Sequence, residues 1–201
     1  PQYRNPTLVH RSRKNVPEVK RDAPAFGRKV AIYATCFANY NSPAIGEAAR
    51  AVFAHNGVES EVVYPRCCGM PQLEQGDIAR VVENAQKTAA DLASWIDKGY
   101  DIVALVPSCA LMLKLEWPLL LPGDAALERL AAHSFDITEY IVAIARDEGL
   151  ADGLSPLDGG VTLHMACHAR AQNIGNKAAQ MLKFVPDTEV KVIERCSGHG
   201  G

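Results

Sequence analysis

Apolar residues in this chain come in two rhythms that take turns. Strand-like runs lie at about residues 29–35, 59–64, 101–106, 160–165 and 189–194. The run at 101–106 is continuously apolar, as expected for a strand covered on both faces. Between them the spacing turns helical. Ser42-Pro43 starts a helix that runs to about Asn56, and Gly57 ends it in the left-handed conformation. Asp77 precedes Ile78, Val81, Val82, Ala85, Ala89, Leu92 and Ile96, one apolar face of a long helix closed by Gly99. Residues 123–150 read as helical too. There Asp136-Ile137-Thr138-Glu139 is a capping box with Asp in the usual Ser/Thr place. A further helix is expected at about 170–183. The most apolar stretch, Ile102 to Leu121, is interrupted by Pro107, Lys114, Glu116 and Pro118. It reads as a buried strand and a short irregular segment, and not as a membrane span.

Strand and helix in alternation predict an α/β fold, a parallel sheet with helices on its faces. Two stretches repeat one pattern. Cys36 and Cys167 each follow a strand, and Ile45-Gly46 and Ile174-Gly175 come next. From glycine to the following cysteine is 21 positions in both (67 − 46 and 196 − 175). The copies close as Arg66-Cys67-Cys68-Gly69 and Arg195-Cys196-Ser197-Gly198. The expected architecture is therefore two tandem Rossmann-like parallel βαβ units related by internal duplication, the second incomplete. Residues 1–28 would be a basic arm or linker, 29–122 the first repeat, 123–158 a helical connector and 159–201 the truncated second repeat. The second copy ends without a counterpart of Cys109, so the chain reads as a fragment or as a subunit whose remainder lies elsewhere.

Charge changes this picture little. The 201 residues carry a formal charge of −2 and give no reason to invoke nucleic acid. The cations are uneven, however: residues 1–29 hold eight, namely Arg4, Arg11, Arg13, Lys14, Lys20, Arg21, Arg28 and Lys29. A solvated, poorly ordered arm is the plain expectation, and a docking segment for an acidic partner or an anionic lipid surface the sharper one. The polar start lacks the apolar core of a secretory signal. A reducing, cytoplasmic setting follows, in which clustered cysteines are metal ligands or redox groups sooner than disulfides.

Cys36, the Cys67-Cys68 pair and Cys109 each fall just after an expected strand. Parallel sheets build their sites beyond the carboxyl ends of the strands, so the topology brings four thiols to one edge. Four thiolates can hold an iron–sulfur cluster or a zinc ion. Neighbouring side chains on an extended segment point opposite ways, so only a turn, which Gly69 permits, can aim Cys67 and Cys68 at one centre. The vicinal pair suits an ordinary zinc knuckle poorly, because two intervening residues are usual there. Inert buried thiols and a Cys67-Cys68 disulfide switch are the alternatives. In the second copy, Cys167, Cys196, His168 and His199 could make a mixed zinc or cluster site, with His164 nearby. Each histidine alone is as readily a hydrogen-bonded structural residue. Gly198-His199-Gly200-Gly201 is glycine-rich, but no strand-to-helix turn surrounds it and it is not a phosphate loop. No paired carboxylates suggest acid/base catalysis, and the adjacent Cys167-His168 does not suit a thiol hydrolase.

The pattern Cys36…Cys67-Cys68-Gly69…Cys109 resembles the cysteine-rich "CCG" domain of the heterodisulfide reductase B subunit and of the glycolate oxidase iron–sulfur subunit. The second copy is similar to the C subunit of anaerobic glycerol-3-phosphate dehydrogenase. The resemblance spans about residues 29–201. It implies an electron-transfer subunit that passes electrons from a flavin dehydrogenase partner, through iron–sulfur centres, to a quinone or disulfide acceptor. Cys36, Cys67, Cys68 and Cys109 would ligate one cluster, of the 4Fe-4S or a related type, and Cys167 and Cys196 would belong to a second. A ferredoxin-type module and peripheral association with membrane quinone at the inner face of the cell membrane are implied as well. The heterodisulfide reductase pattern has a further cysteine where Met112 stands, which speaks against its noncubane cluster. A zinc-stabilised interaction domain and a thiol-disulfide oxidoreductase are the competing readings.

Overall fold

The computed structural model describes residues 3–196 and 198. Strand β1 (Lys29–Tyr33) lies between β2 (Glu59–Val63) and β3 (Asp101–Ala104), and β4 (Ser134–Asp136) flanks β3. All three pairings are parallel, so the expected α/β class with a parallel sheet holds. Side chains alternate across β1. Ala31 and Tyr33 enter one apolar cluster, and Val30 and Ile32 enter the other. Both faces of β1 and β3 are covered, which is why their runs carry no polar alternation, whereas edge strand β2 exposes Glu59 and Glu61.

The connections carry the helices. A short helix, α1 (Leu8–Ser12), precedes the sheet. From β1 the chain passes through α2 (Cys36–Tyr40) and α3 (Pro43–His55) to β2. From β2 it passes through α4 (Met70–Glu74) and α5 (Ile78–Asp97) to β3. α6 (Pro107–Leu111), a π-helical segment (Met112–Glu116), α7 (Trp117–Leu120) and α8 (Ala125–Ala132) lead to β4, and α9 (Ile137–Asp147) follows. Val81, Ala85, Ala89, Leu92 and Ile96 of α5 bury the predicted stripe on one face of the sheet. Phe53 of α3 with Tyr140, Ile141 and Ile144 of α9 covers the other.

Within residues 3–150 the structure departs from the sequence reading in three places. First, residues 107–120 are helical and not irregular. A regular α-helix would drive the Pro118 ring into the carbonyl four residues back. The chain avoids this by widening to π geometry, in which the Trp117 N–H donates to the Met112 carbonyl. Second, the helical stretch 123–150 contains β4. Its three residues are too few to break the helical periodicity around them, although the capping box at Asp136 forms as expected. Third, the basic arm is packed. Leu8 is fully buried against α3, and the Arg50 guanidinium donates to the carbonyls of Ser12 (3.1 Å) and Asn15 (2.6 Å). Arg28 pairs with Glu148 at 2.7 Å, and Arg11 with Glu47 at 3.5 Å.

The second cysteine-bearing segment forms its own two-stranded parallel sheet. β5 (Val161–His164) and β6 (Val190–Ile193) are linked by α10 (Cys167–Ala171) and α11 (Lys177–Leu182). The single helix expected at 170–183 is thus split, and α11 packs on α9. The two Ile-Gly pairs differ in setting. Gly46 lies inside α3, whereas Gly175 has φ +74° in the turn before α11. Among the described residues, no helix is long and apolar enough to cross a membrane.

Candidate metal centre

The chain leaves β1 toward β2 and leaves β3 toward β4, in opposite directions across the sheet. The crevice beyond the carboxyl ends of β1 and β3 is therefore the switch point at which sheets of this kind bind ligands. All four thiols of the first set reach it. Cys36 is the first residue of α2, Cys67 and Cys68 lie in the loop from β2 to α4, and Cys109 sits in the first turn of α6.

The sulfurs form a continuous row. Cys109 Sγ lies 3.2 Å from Cys68 Sγ, and Cys36 and Cys68 both neighbour Cys67. Cys36 is exposed and Cys67 partly so, while Cys68 and Cys109 are buried at 3% and 4% exposure. The row thus runs from solvent into the core. Hydrogen bonds decide where charge sits along it. The thiol protons of Cys36 and then Cys68, with the backbone N–H groups of Gly69 and Cys68, hold the Cys67 thiol far below its ordinary range. Cys36, as a donor to that thiolate and partly desolvated, is pushed up. Cys68 is pushed up further, first by its contact with Cys109 and then by Cys67 and by burial.

The surrounding residues fix this row in place. Thr35, directly before Cys36, is held at φ 57°, a left-handed value that costs a β-branched residue about 1–3 kcal/mol. Its hydroxyl accepts the Ala38 N–H at 3.1 Å, which caps α2 and aims Cys36. Gly69 has φ +85° and makes the turn that points Cys67 and Cys68 inward, as the sequence suggested. Three side chains pin the loop itself. The Tyr33 hydroxyl donates to the Arg66 carbonyl, the Trp117 indole N–H donates to the Cys68 carbonyl at 3.2 Å, and Arg66 pairs with Asp91 of α5 at 2.7 Å. Sequence reasoning missed Thr35, Tyr33, Trp117 and Asp91. They read as ordinary core or helix positions, and only a β-branched residue placed ahead of a helix-opening cysteine carried any signal.

Desolvation by burial pushes the Tyr33 phenol up, so it stays a hydrogen-bond donor. Met112, where a further cysteine would stand in the heterodisulfide reductase pattern, is fully buried in the cluster that holds Cys68 and Cys109.

The second set is not gathered in this way. Cys167 and Cys196 are exposed, and Cys196 Sγ accepts the Gly198 N–H at 3.3 Å. The His164 ring binds the Arg195 carbonyl at 2.8 Å, a structural role. The His168 carbonyl faces the buried Gln172 amide, which also bonds the Pro107 carbonyl and Asp136. His199 and Ser197 lie outside the described residues. Among the described residues, no three His, Cys, Asp or Glu side chains converge on a point that one metal ion could occupy.

The first set does fit a multi-metal cluster on its donors. All four are thiols, they arrive from three separate post-strand segments, and hydrogen bonding lowers the pKa of Cys67 toward the thiolate that ligation requires. Arg66, one residue from Cys67, has a buried Nη1 with no partner among the described residues, a cation suited to an anionic centre.

Comparison with known proteins agrees with the geometry. Residues 30–114 match the model of the cysteine-rich domain CCG, a span that contains all four thiols of the row. Lactate utilization protein A of Geobacillus kaustophilus is 27% identical over 184 residues, covering 86% of this chain and 73% of that protein. The C subunit of the anaerobic glycerol-3-phosphate dehydrogenase of Escherichia coli is 26% identical over 176 residues, covering 86% of this chain and 44% of its own length. The B subunit of the CoM/CoB fumarate reductase of Methanothermobacter marburgensis is 25% identical over 181 residues, covering 87% and 34%. No solved structure matches. Residues 30–114 thus match the cysteine-rich domain CCG, on a chain similar to subunits of oxidoreductases.

Proposed function

We propose that this chain is an iron–sulfur electron-transfer subunit of a dehydrogenase or a heterodisulfide-reductase-like complex. The observation that carries the reading is the row of four thiols, from exposed Cys36 to buried Cys109, at the switch point of the sheet. Cys36, Cys67, Cys68 and Cys109 would hold the cluster, of the 4Fe-4S or a related type. When bound, it would supply a one-electron centre whose potential depends on burial and on hydrogen bonds near the sulfurs. The chain's own part is to position the thiols, keep Cys67 deprotonated and exclude water at Cys68 and Cys109. A single zinc requires sulfurs at roughly 2.3 Å from one point. The row does not provide that arrangement, whereas a centre with several metal atoms accepts ligands from a wider set of directions.

The rest of the reading follows from this one. Residues 1–28, 29–122, 123–158 and 159–201 would be the arm, the first repeat, the connector and a duplicated second repeat. Cys167 and Cys196, with His168 and His199 as further donors, would contribute to a second centre. A flavin dehydrogenase subunit and a ferredoxin-type module are the partners, with a quinone or disulfide as acceptor, in the cytoplasm or at the inner face of the cell membrane. The relatives from Escherichia coli and Methanothermobacter marburgensis, named as subunits of a dehydrogenase and a reductase, support a multi-subunit setting.

The test is iron, zinc and acid-labile sulfide per chain on protein purified without oxygen. We expect several irons with matching sulfide, most of it lost in Cys67→Ser and retained in Met112→Ala. One zinc without sulfide, persisting after anaerobic reconstitution, would establish the zinc-stabilised reading instead. Full metal retention by Cys67→Ser would overturn the ligand assignment.

A further inference from the structure

The amino-terminal segment is a strap laid along α3. Leu8 lies over Gly46, and the Arg50 guanidinium holds the carbonyls of Ser12 and Asn15. Further on, the Lys20 N–H donates to the Ala54 carbonyl at 2.9 Å, and the Ala25 N–H to the Asn56 carbonyl at 3.2 Å. These anchors run from position 46 to position 56, about 15 Å along the helix. Leu8, Ala23 and Ala25 turn inward and are buried. The side chains left facing solvent are of two kinds. Arg4, Arg13, Lys14, Lys20 and Arg21 are exposed, and among the described residues none of them pairs with a carboxylate. Among these cations stand Tyr3, Val16 and Phe26, at 81%, 73% and 55% exposure. Single exposed apolar residues are ordinary on any surface, but three within one cationic strip are a combination that has a use. Residues 1–29 carry eight Lys/Arg against Glu18 and Asp22, a charge of +6, which leaves −8 for residues 30–201 out of the total of −2.

We propose that this strip docks the chain onto an anionic lipid bilayer, with Arg4, Arg13, Lys14, Lys20 and Arg21 on the headgroup phosphates and Val16 and Phe26 set into the interfacial layer. Charge selects the surface and the orientation together. An anionic bilayer draws the strip in and repels the rest of the chain. The apolar tips select a bilayer over an acidic protein. A bilayer takes an isolated valine or aromatic ring wherever it stands, whereas a protein surface must offer a pocket for each. Because the strap is already held on α3, its backbone is not ordered anew on docking, a cost that a disordered arm would bear. Glu18 and Asp22 are exposed in the same strip and oppose the attraction, so the contact is reversible and not a permanent anchor. The strap begins on α2, where the Arg4 N–H donates to the Tyr40 carbonyl at 2.6 Å, and Cys36 opens that helix. Docking therefore sets the exposed end of the thiol row at the edge of the bilayer contact. Only this last consequence rests on the proposed electron-transfer role; the docking face itself rests on charge and exposure.

Co-sedimentation of the full chain with vesicles tests the face, using equal parts phosphatidylglycerol and phosphatidylcholine against phosphatidylcholine alone. We expect binding to the first only, weakening steeply as salt rises. Arg13→Gln with Lys14→Gln, and Lys20→Gln with Arg21→Gln, should each lower it by about fivefold per cation removed. Val16→Ser with Phe26→Ser should lower it several-fold at unchanged charge. Lys87→Gln, on α5 across the sheet, is the control and should bind as the parent. No binding to the anionic vesicles, or an equal loss in Lys87→Gln, would overturn the docking face. Undiminished binding in the Val16 and Phe26 variant would overturn the bilayer as its partner and leave a contact of charge alone, such as an acidic protein offers. Iron measured on the same samples keeps this apart from the cluster. Iron-free protein that binds anionic vesicles supports the face whatever the thiols hold, and iron-loaded protein that ignores them refutes the face and leaves the cluster standing.

Discussion

The amino-terminal segment is where sequence pattern and structure diverge most, and Leu8 decides between them. A solvated arm predicts that Leu8→Ala changes stability by no more than about 0.5 kcal/mol. In the fold, Leu8 is fully buried, and its side chain lies over Gly46 of α3. Truncating a leucine in such a site costs about 2–5 kcal/mol, the transfer term plus the cavity left behind. Gly46 gives the prediction a second arm. A Cβ built there would sit 2.1 Å from Leu8 Cδ2, so Gly46→Ala must displace the leucine. Alanine gains about 0.5–1 kcal/mol over glycine inside a helix, but losing the leucine's burial costs about 1.5–3 kcal/mol, so the net change is destabilising. In the double variant the new methyl group occupies space that Leu8 has vacated. The two effects should then fall short of their sum by about 1–2 kcal/mol, as expected for residues in contact. Urea unfolding of the four proteins, with midpoints compared at unchanged slope, reads this directly. A near-silent Leu8→Ala, or strict additivity, would refute the packed arm.

Two further outcomes follow from the site and the core. Trp117→Phe leaves the buried Cys68 carbonyl without its indole donor, and should destabilise the protein by about 1–3 kcal/mol and slow anaerobic cluster reconstitution; unchanged stability together with unchanged reconstitution would remove Trp117 as an anchor of the loop. Alkaline stability rests on phenols. Burial raises Tyr140, and burial with a hydrogen bond to Glu59 pushes Tyr100 up to about 12, both from an ordinary 10.0. A pKa raised in the folded state gives stability that is fully present below pH 10 and lost as pH rises toward the folded values, because the unfolded chain ionises first. The urea midpoint should therefore decline from about pH 10 upward, with less decline in Tyr140→Phe; a flat profile would refute the burial of these rings.

The strands, the stripe of α5 and the turn at Gly69 were legible because each is set by local chemistry, namely apolar runs, helical spacing and a need for positive φ. The gathering of Cys36, Cys67, Cys68 and Cys109 was legible from topology alone, since each follows a parallel strand. β4 was hidden because three residues impose no period of their own. The π segment was hidden because it answers a clash between Pro118 and a carbonyl that sequence spacing does not display. The anchors Tyr33, Trp117 and Asp91 act across long sequence separations, where the chain alone gives no register.

The duplicated Ile-Gly pairs show how matching letters can differ in physics. Gly46 is inside a helix and is needed for space, since any Cβ there strikes Leu8. Gly175 has φ +74° with nothing within 4 Å of a built Cβ, so it is needed for backbone conformation and not for space. The two sites should therefore rank substitutions differently. Asparagine visits the left-handed region more readily than alanine, which pays about 1–2 kcal/mol there. At position 175 Gly→Asn should be milder than Gly→Ala, and at position 46 the larger asparagine should be the worse of the two. Unfolding midpoints of these four variants test the contrast. If both glycines rank alanine and asparagine alike, they do the same work and the 21-residue spacing reflects a shared structural role. If the order reverses as argued, the resemblance of the two copies at this position is one of sequence alone, and evidence for duplication must rest on the post-strand cysteines Cys36 and Cys167.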